Sequence, residues 1–396
     1  MEPNIQSKLT AGVFLSIGLL PSVHLVALQL ATLLIIVSVA LEWRHFRSRI
    51  RLSWPHWAIL LFILYGTINV LTYESLPGNR HHYFKIALET WFITLGAFFV
   101  TLAFSHSRDL HAAALTWLPV GLGLSFLIMS FFFFSRIEGY RPDAFAPSAL
   151  YPPLWFLILT GISFCWYDSM GQAQKTTRFA LLGLSGLMAL YAGARLILIA
   201  WILLSIYLLY YVSAGHSTVS ATRRLGLIML GVLCAVLTIS GLDILFNGPW
   251  ALTYRFTGSI QALLQQEKEF LRFQLWSESW RLISEHPWLG FGQINERFIL
   301  REIGPEKWWY RAHQTYLSFW LSGGIIGLGF GLLFQLTALS LISPVYKRSL
   351  APAVVALLGI TFLNGLTDSI FQSFFSLQVY MLLVILFSPK RQARVV

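Results

Sequence analysis

Apolar positions in this chain fall into long runs separated by short polar connections, a pattern that repeats almost from end to end. A membrane-crossing helix needs about 20 mostly apolar residues, within a range of roughly 17–25. Twelve stretches approach that requirement, near 5–20, 22–41, 55–72, 85–104, 112–134, 149–167, 179–192, 196–212, 225–245, 313–341, 351–367 and 371–388. The first is short. If it is re-entrant or interfacial, eleven spans remain and the N-terminus changes side. One interruption stands apart, a polar and Trp-rich stretch of 65 residues from Asn247 to Arg311. Within it, Leu263, Phe270, Phe273, Trp276, Trp280 and Ile283 recur at spacings of three, four and seven, which predicts helix between Ser259 and Ser284. Arg272, Trp276 and Trp280 follow one another at i, i+4 and i+8 on one face. Pro287, Gly290 and Gly292 then end the helix. The pattern predicts an all-α integral membrane protein in three parts: helices over 1–245, a loop of short amphipathic helices over 246–312, and helices with a tail over 313–396. The loop helices are expected to lie along the membrane surface with Trp at headgroup level.

Composition agrees with the pattern. Hydrophobic residues make up 56% of the chain and charged ones 11%, against roughly 25% charged in soluble domains. Lys and Arg give the orientation. With the N-terminus inside, the short inner segments hold 15 of the 28 basic residues and the short outer ones hold 5. That bias predicts cytoplasmic termini and puts the long loop on the opposite side. The positive-inside bias also accounts for much of the net charge of +11. The basic residues are scattered, so no nucleic-acid module is expected. The two cysteines, Cys165 and Cys234, lie in apolar segments and define no disulfide framework. No cleavable secretory signal is expected, because no small-residue cleavage site follows the apolar run Leu9–Leu20.

Six residues are candidates for chemistry. Arg195, in YAGARLILIAW, stands between two apolar segments with almost no connection. Either it snorkels at the outer interface, or it opens a helix beside a water-filled cavity and holds an anion there. Arg272 either pairs with Glu269 on an exposed helix or contacts an anion, and Arg255 offers the same two readings. Trp276 lies one turn beyond Arg272. His313, at the mouth of the tenth span, is an interfacial residue or a general base, with Gln314 and Tyr316 near enough to hydrogen-bond it. Asp368, in GLTDSIFQ, is a turn residue or a partner that orients the site. Asp243 invites a weaker version of the same reading. The adjacent His81 and His82 lack a third ligand at metal spacing, so no zinc is expected.

Three outer-side features together resemble the O-antigen ligase and polymerase superfamily. They are GAR (Gly193–Arg195), Arg272 and Trp276 followed by HPWLGFG (His286–Gly292), and HQTYLSFWLSGGIIG (His313–Gly327). By motif the resemblance covers about residues 190–330, and by topology the whole chain. Two positions depart from the family's pattern: Ala194 replaces a Ser, and Leu321 replaces a Glu found in many relatives. The resemblance implies a GT-C-like glycosyltransferase in the bacterial inner membrane with its active face periplasmic. It implies an undecaprenyl pyrophosphate-linked glycan as donor and lipid A–core as acceptor. It gives His313 the role of base on the acceptor hydroxyl, Arg195 and Arg272 the pyrophosphate, and no cofactor or metal. A single large outer loop fits a ligase better than a polymerase. A protein O-oligosaccharyltransferase shares the same donor. A lipid-linked anion transporter would be expected to carry midplane charges and paired repeats, whereas here the polar groups gather at one face and no repeat is visible.

Overall fold

The computed structural model describes residues 3–41, 52–72, 80–105, 110–135, 151–191, 195–213, 267–292, 299–300, 312–342, 349–366, 368, 370–372 and 374–388. Arg255, Asp243 and the expected span over 225–245 lie outside the described residues, as do loop residues 246–266, 293–298 and 301–311. The described residues are helical and contain no strand. In chain order the helices are α1 (Pro3–Leu41), α2 (Trp54–Thr72), α3 (Arg80–Ser105), α4 (Leu110–Ser135), α5 (Tyr151–Ser163), α6 (Gln172–Tyr191), α7 (Arg195–Ser213), α8 (Glu267–Glu285), α9 (Thr315–Leu336), α10 (Ala351–Gly365) and α11 (Phe374–Phe387). Six of the described helices are long and apolar enough to cross a membrane, in α1, α2, α3, α4, α7 and α9. The chain is a multi-pass membrane protein.

The chain divides into two compact units, each drawn from three stretches. The first takes Met1–Ile35, Asp109–Gln265 and Pro344–Ile360. Here the segments expected over 5–20 and 22–41 form one helix, α1, broken at Val23 (φ −127°, ψ 45°). Pro21, two residues earlier, has no N–H to give to the turn before it, so the helix is already weakened next to the break. Glycines let α1 and α4 approach closely. A Cβ on Gly18 would lie 2.6 Å from the Leu118 carbonyl oxygen and 2.7 Å from the Gly121 Cα. Small residues serve this purpose in membranes, where apolar burial alone gives helices little reason to associate. Helix α5 is shorter than the segment expected over 149–167, and each of its 13 residues is buried. It is therefore a core helix, apolar all round. Arg178, on α6, is buried. Its guanidinium donates to the carbonyl of Ser163 at 3.1 Å and to that of Leu115. These bonds satisfy a carbonyl at the end of α5.

The second unit takes Ile36–Arg108, Gln266–Ser343 and Thr361–Val396. Its core packs α2, α3, α9 and α11 around Phe62, Phe334, Phe371 and Tyr380. A polar network threads this core. Tyr316 donates its hydroxyl to Gln335 Oε1 at 3.0 Å, Gln335 Nε2 donates to Thr361 Oγ1 at 3.1 Å, and Tyr380 donates to the Gln335 carbonyl. Buried polar groups in an apolar setting are costly unless paired, and these are paired within the unit.

Candidate active site

Helix α8 (Glu267–Glu285) bears out the helical period over the described part of the stretch, and residues 259–266 lie outside the described residues. Residues before proline disfavour the α conformation, and the helix ends at Glu285, just before His286-Pro287. Its buried face carries Leu275, Leu282 and Ile283, which cluster with Leu300, Ala312 and Leu321. Each fully buried side chain of this kind stabilises by roughly 1.5–3 kcal/mol where the alternative is water. The Trp276 indole donates to the Ala312 carbonyl at 3.0 Å, so α8 is tied to the residue before His313. Arg272 stands one turn earlier on the same helix.

The HPWLGFG segment docks into a break in α9. At Gly324 (φ 62°, ψ −164°) the helix is interrupted, and the carbonyls of the preceding turn lose their helical partners. Phe291 N donates to the Leu321 carbonyl at 2.9 Å, and Gly292 N donates to that of Ser322 at 2.8 Å. The Tyr65 hydroxyl donates to the Gly323 carbonyl at 2.6 Å, and the Asn69 amide donates to that of Ser322 at 3.1 Å. In return, Ile325 N donates to the Pro287 carbonyl at 2.8 Å. Irregular backbone at membrane depth survives only when protein supplies such partners. Both glycines that meet at this junction are at positive φ. A Cβ on Gly290 (φ +64°) would lie 2.5 Å from the Leu321 oxygen, and one on Gly324 would overlap the Trp288 carbonyl.

His313 stands two residues before the start of α9. Its φ of +50° lies in the left-handed region that non-glycine residues rarely adopt. Such strain costs on the order of 1–3 kcal/mol and persists where the surroundings enforce it. The enforcing contacts lie on both sides. Before it, Ala312 is held by Trp276. After it, Gln314 caps α9, its side-chain oxygen accepting from Leu317 N at 3.1 Å. Gln314 and Tyr316, expected as hydrogen-bond partners of the imidazole, are thus engaged by the helix cap and by Gln335.

Asp368 faces His313. One carboxylate oxygen lies 3.9 Å from the imidazole Nδ1. This is longer than a hydrogen bond but close enough to stabilise an imidazolium by charge. The acid is held through its backbone by Thr315, a buried residue not singled out by sequence. Thr315 Oγ1 donates to the Asp368 carbonyl at 2.7 Å and accepts from Ile370 N at 3.0 Å. Thr315→Val removes both bonds while keeping the shape. Each buried group left unsatisfied costs about 1–3 kcal/mol, so the variant is expected to melt earlier and to lose activity, with Thr315→Ser recovering both. Melting curves and initial rates of the three proteins check this.

The structure therefore brings together His313, Asp368 and Trp276, the last through Ala312. Arg195 is the first residue of α7, as expected of a residue at a helix start, and Arg272 is placed only as a position on α8. Arg281, also on α8, is engaged with carboxylates. It donates to Glu278 at 2.9 Å and pairs with Glu285. The Glu278 bond and the charge of Glu285 raise the guanidinium above its ordinary value. Tyr65 and Asn69 were missed, although two polar residues at i, i+4 in the apolar run of α2 were a visible signal.

Residues 179–332 match the model of the O-antigen ligase family. The matched segment contains Arg195, Arg272, Trp276, the docked HPWLGFG segment, His313 and the break at Gly324. Asp368 lies beyond it. The match supports a function within the ligase and polymerase superfamily. Comparison with curated proteins finds none that matches the chain.

Proposed function

We propose that the protein is an O-antigen ligase that transfers a glycan from undecaprenyl pyrophosphate to a sugar hydroxyl of lipid A–core. The observation that carries this reading is His313, held in a strained backbone conformation within the family domain with the Asp368 carboxylate 3.9 Å from Nδ1. In the proposed reaction the acceptor hydroxyl oxygen attacks the anomeric carbon, and His313 Nε2 takes its proton. Nδ1 then carries its proton on the side of Asp368, whose charge stabilises the imidazolium. The bond between the anomeric carbon and the pyrophosphate oxygen breaks, and undecaprenyl pyrophosphate leaves as an anion. Arg195 and Arg272 are assigned to the pyrophosphate by resemblance and by the fit of guanidinium to phosphate oxygens, with Arg255 a further candidate contact. Their fixed charge meets the charge developing on the leaving oxygen, so the scheme requires neither an acid nor a metal. We place the active face in the periplasm, with about 12 spans, both termini cytoplasmic, and a GT-C-like architecture in the bacterial inner membrane.

A single displacement inverts the anomeric centre. Transfer of a glycan of known configuration, with EDTA present, is expected to proceed and to give the opposite anomer by NMR. Retention of configuration, or loss of transfer in EDTA restored by a divalent cation, would remove this mechanism. A second test concerns Asp368. Two charges about 4 Å apart interact by ~1 kcal/mol in water and ~4 kcal/mol at an effective dielectric of 20, and both groups here are a quarter to a third exposed. The lower end applies, so Asp368→Asn is expected to lower kcat by about tenfold with KM little changed. Steady-state kinetics against donor concentration decide it.

A further inference from the structure

We infer that the tip of the HPWLGFG segment, Trp288 and Leu289, sits inside the outer leaflet, packed on phospholipid acyl chains together with the aromatic flank of α8. The inference concerns the anchoring of the second unit and does not depend on which glycan is moved or on whether one is.

The surface of α8 carries the first argument. Around its axis, Leu275, Ser279, Leu282 and Ile283 face inward. The exposed part divides in two. One flank carries Phe273 and Trp280, seven residues apart and more than half exposed. The other carries the ion pairs of Arg281 with Glu278 and Glu285. A helix surrounded by water has no reason to sort its exposed residues in this way, whereas a helix at a bilayer surface does. The aromatic flank is continuous with α9, because the Trp280 and Trp320 rings meet edge-to-face at 5.1 Å. It is continuous with the docked segment too, because the Trp320 indole donates to the Pro287 carbonyl at 3.3 Å. Trp288 and Leu289 follow directly and are 69% and 54% exposed.

Depth is the second argument. The apolar stretch Thr315–Leu341 holds 27 residues. At about 1.5 Å per residue it is ~40 Å long, some 10 Å more than the ~30 Å hydrocarbon core. Gly324 lies nine residues from the start of α9, or ~13 Å along it. If the whole excess stood on this side, the break would still lie inside the hydrocarbon boundary. The Trp288 and Leu289 backbone abuts Gly324, and Ile325 and Ile326, next along the helix, are exposed as well. Large apolar side chains at that depth and facing outward meet acyl chains.

The test uses the full chain, with Cys165 and Cys234 replaced by Ala, reconstituted in phosphatidylethanolamine and phosphatidylglycerol nanodiscs that hold no donor lipid. Spin labels on Trp288→Cys and Leu289→Cys are expected to relax more with oxygen than with a water-soluble nickel chelate, and a label on Glu285→Cys to show the reverse. Strong relaxation by nickel at 288 and 289 would put the tip in water and overturn the inference. Protection from both reagents would put it against protein and overturn it equally. Trp288→Phe serves if the cysteine variants fail to fold. Chain-brominated lipids are expected to quench this protein less than the parent, and an unchanged loss with reduced iodide quenching would refute the placement.

Discussion

His313→Asn is expected to abolish glycan transfer while leaving the fold intact. A general base contributes about 10²–10⁴-fold, and neither Asn, Gln nor Ala can accept the proton. The choice of replacement matters because of the backbone. At φ +50° an Ala adds strain, whereas Asn tolerates the left-handed region and Gly enters it freely. His313→Asn and His313→Gly should therefore melt at or above the temperature of the parent protein, with rates lower by two orders of magnitude or more. A gate or an interfacial residue would show the opposite pattern, keeping activity in at least one variant. Initial rates measured beside melting curves separate the two.

Gly324→Ala is expected to be the most damaging single change to the scaffold. The backbone there (φ 62°, ψ −164°) is essentially closed to residues with a Cβ, and the added methyl overlaps the Trp288 carbonyl. Strain of ~1–3 kcal/mol adds to roughly 1–3 kcal/mol of overpacking. Displacing the HPWLGFG segment would also strip partners from the carbonyls of Leu321 and Ser322. Gly329→Ala, on the same helix, is the control, because a Cβ there meets nothing within 4 Å. It should match or slightly exceed the parent in thermal stability. If the two variants melt together, the break is not what holds the segment.

These two residues also mark where sequence reasoning succeeds and where it stops. Hydropathy located most of the described helices within a few residues, because a run of apolar side chains has few alternatives to a helix in lipid. The place of His313 just before α9 was legible for a similar reason: a polar group at the mouth of a long apolar run stands out. The break at Gly324 was not legible. Its hydrogen bonds come from Tyr65, Asn69, Phe291 and Gly292, at positions up to 258 residues away, and no local pattern in SGG announces them. The pairing of Asp368 with His313 was hidden in the same way, since nothing in GLTDSIFQ distinguishes a turn acid from a partner until Thr315 ties that turn to α9. The buried role of Arg178 was hidden too, because its carbonyl partners lie on α4 and α5, far from it in sequence.

The central claim is transfer to lipid A–core. Purified protein in nanodiscs, given an undecaprenyl pyrophosphate-linked glycan with and without lipid A–core, reports it directly by gel and mass spectrometry. The account predicts that glycan appears on lipid A–core, that its appearance requires His313, and that the carrier-linked glycan does not lengthen. Lengthening on the carrier would mark a polymerase, and no transfer beside an active control enzyme would contradict the ligase reading.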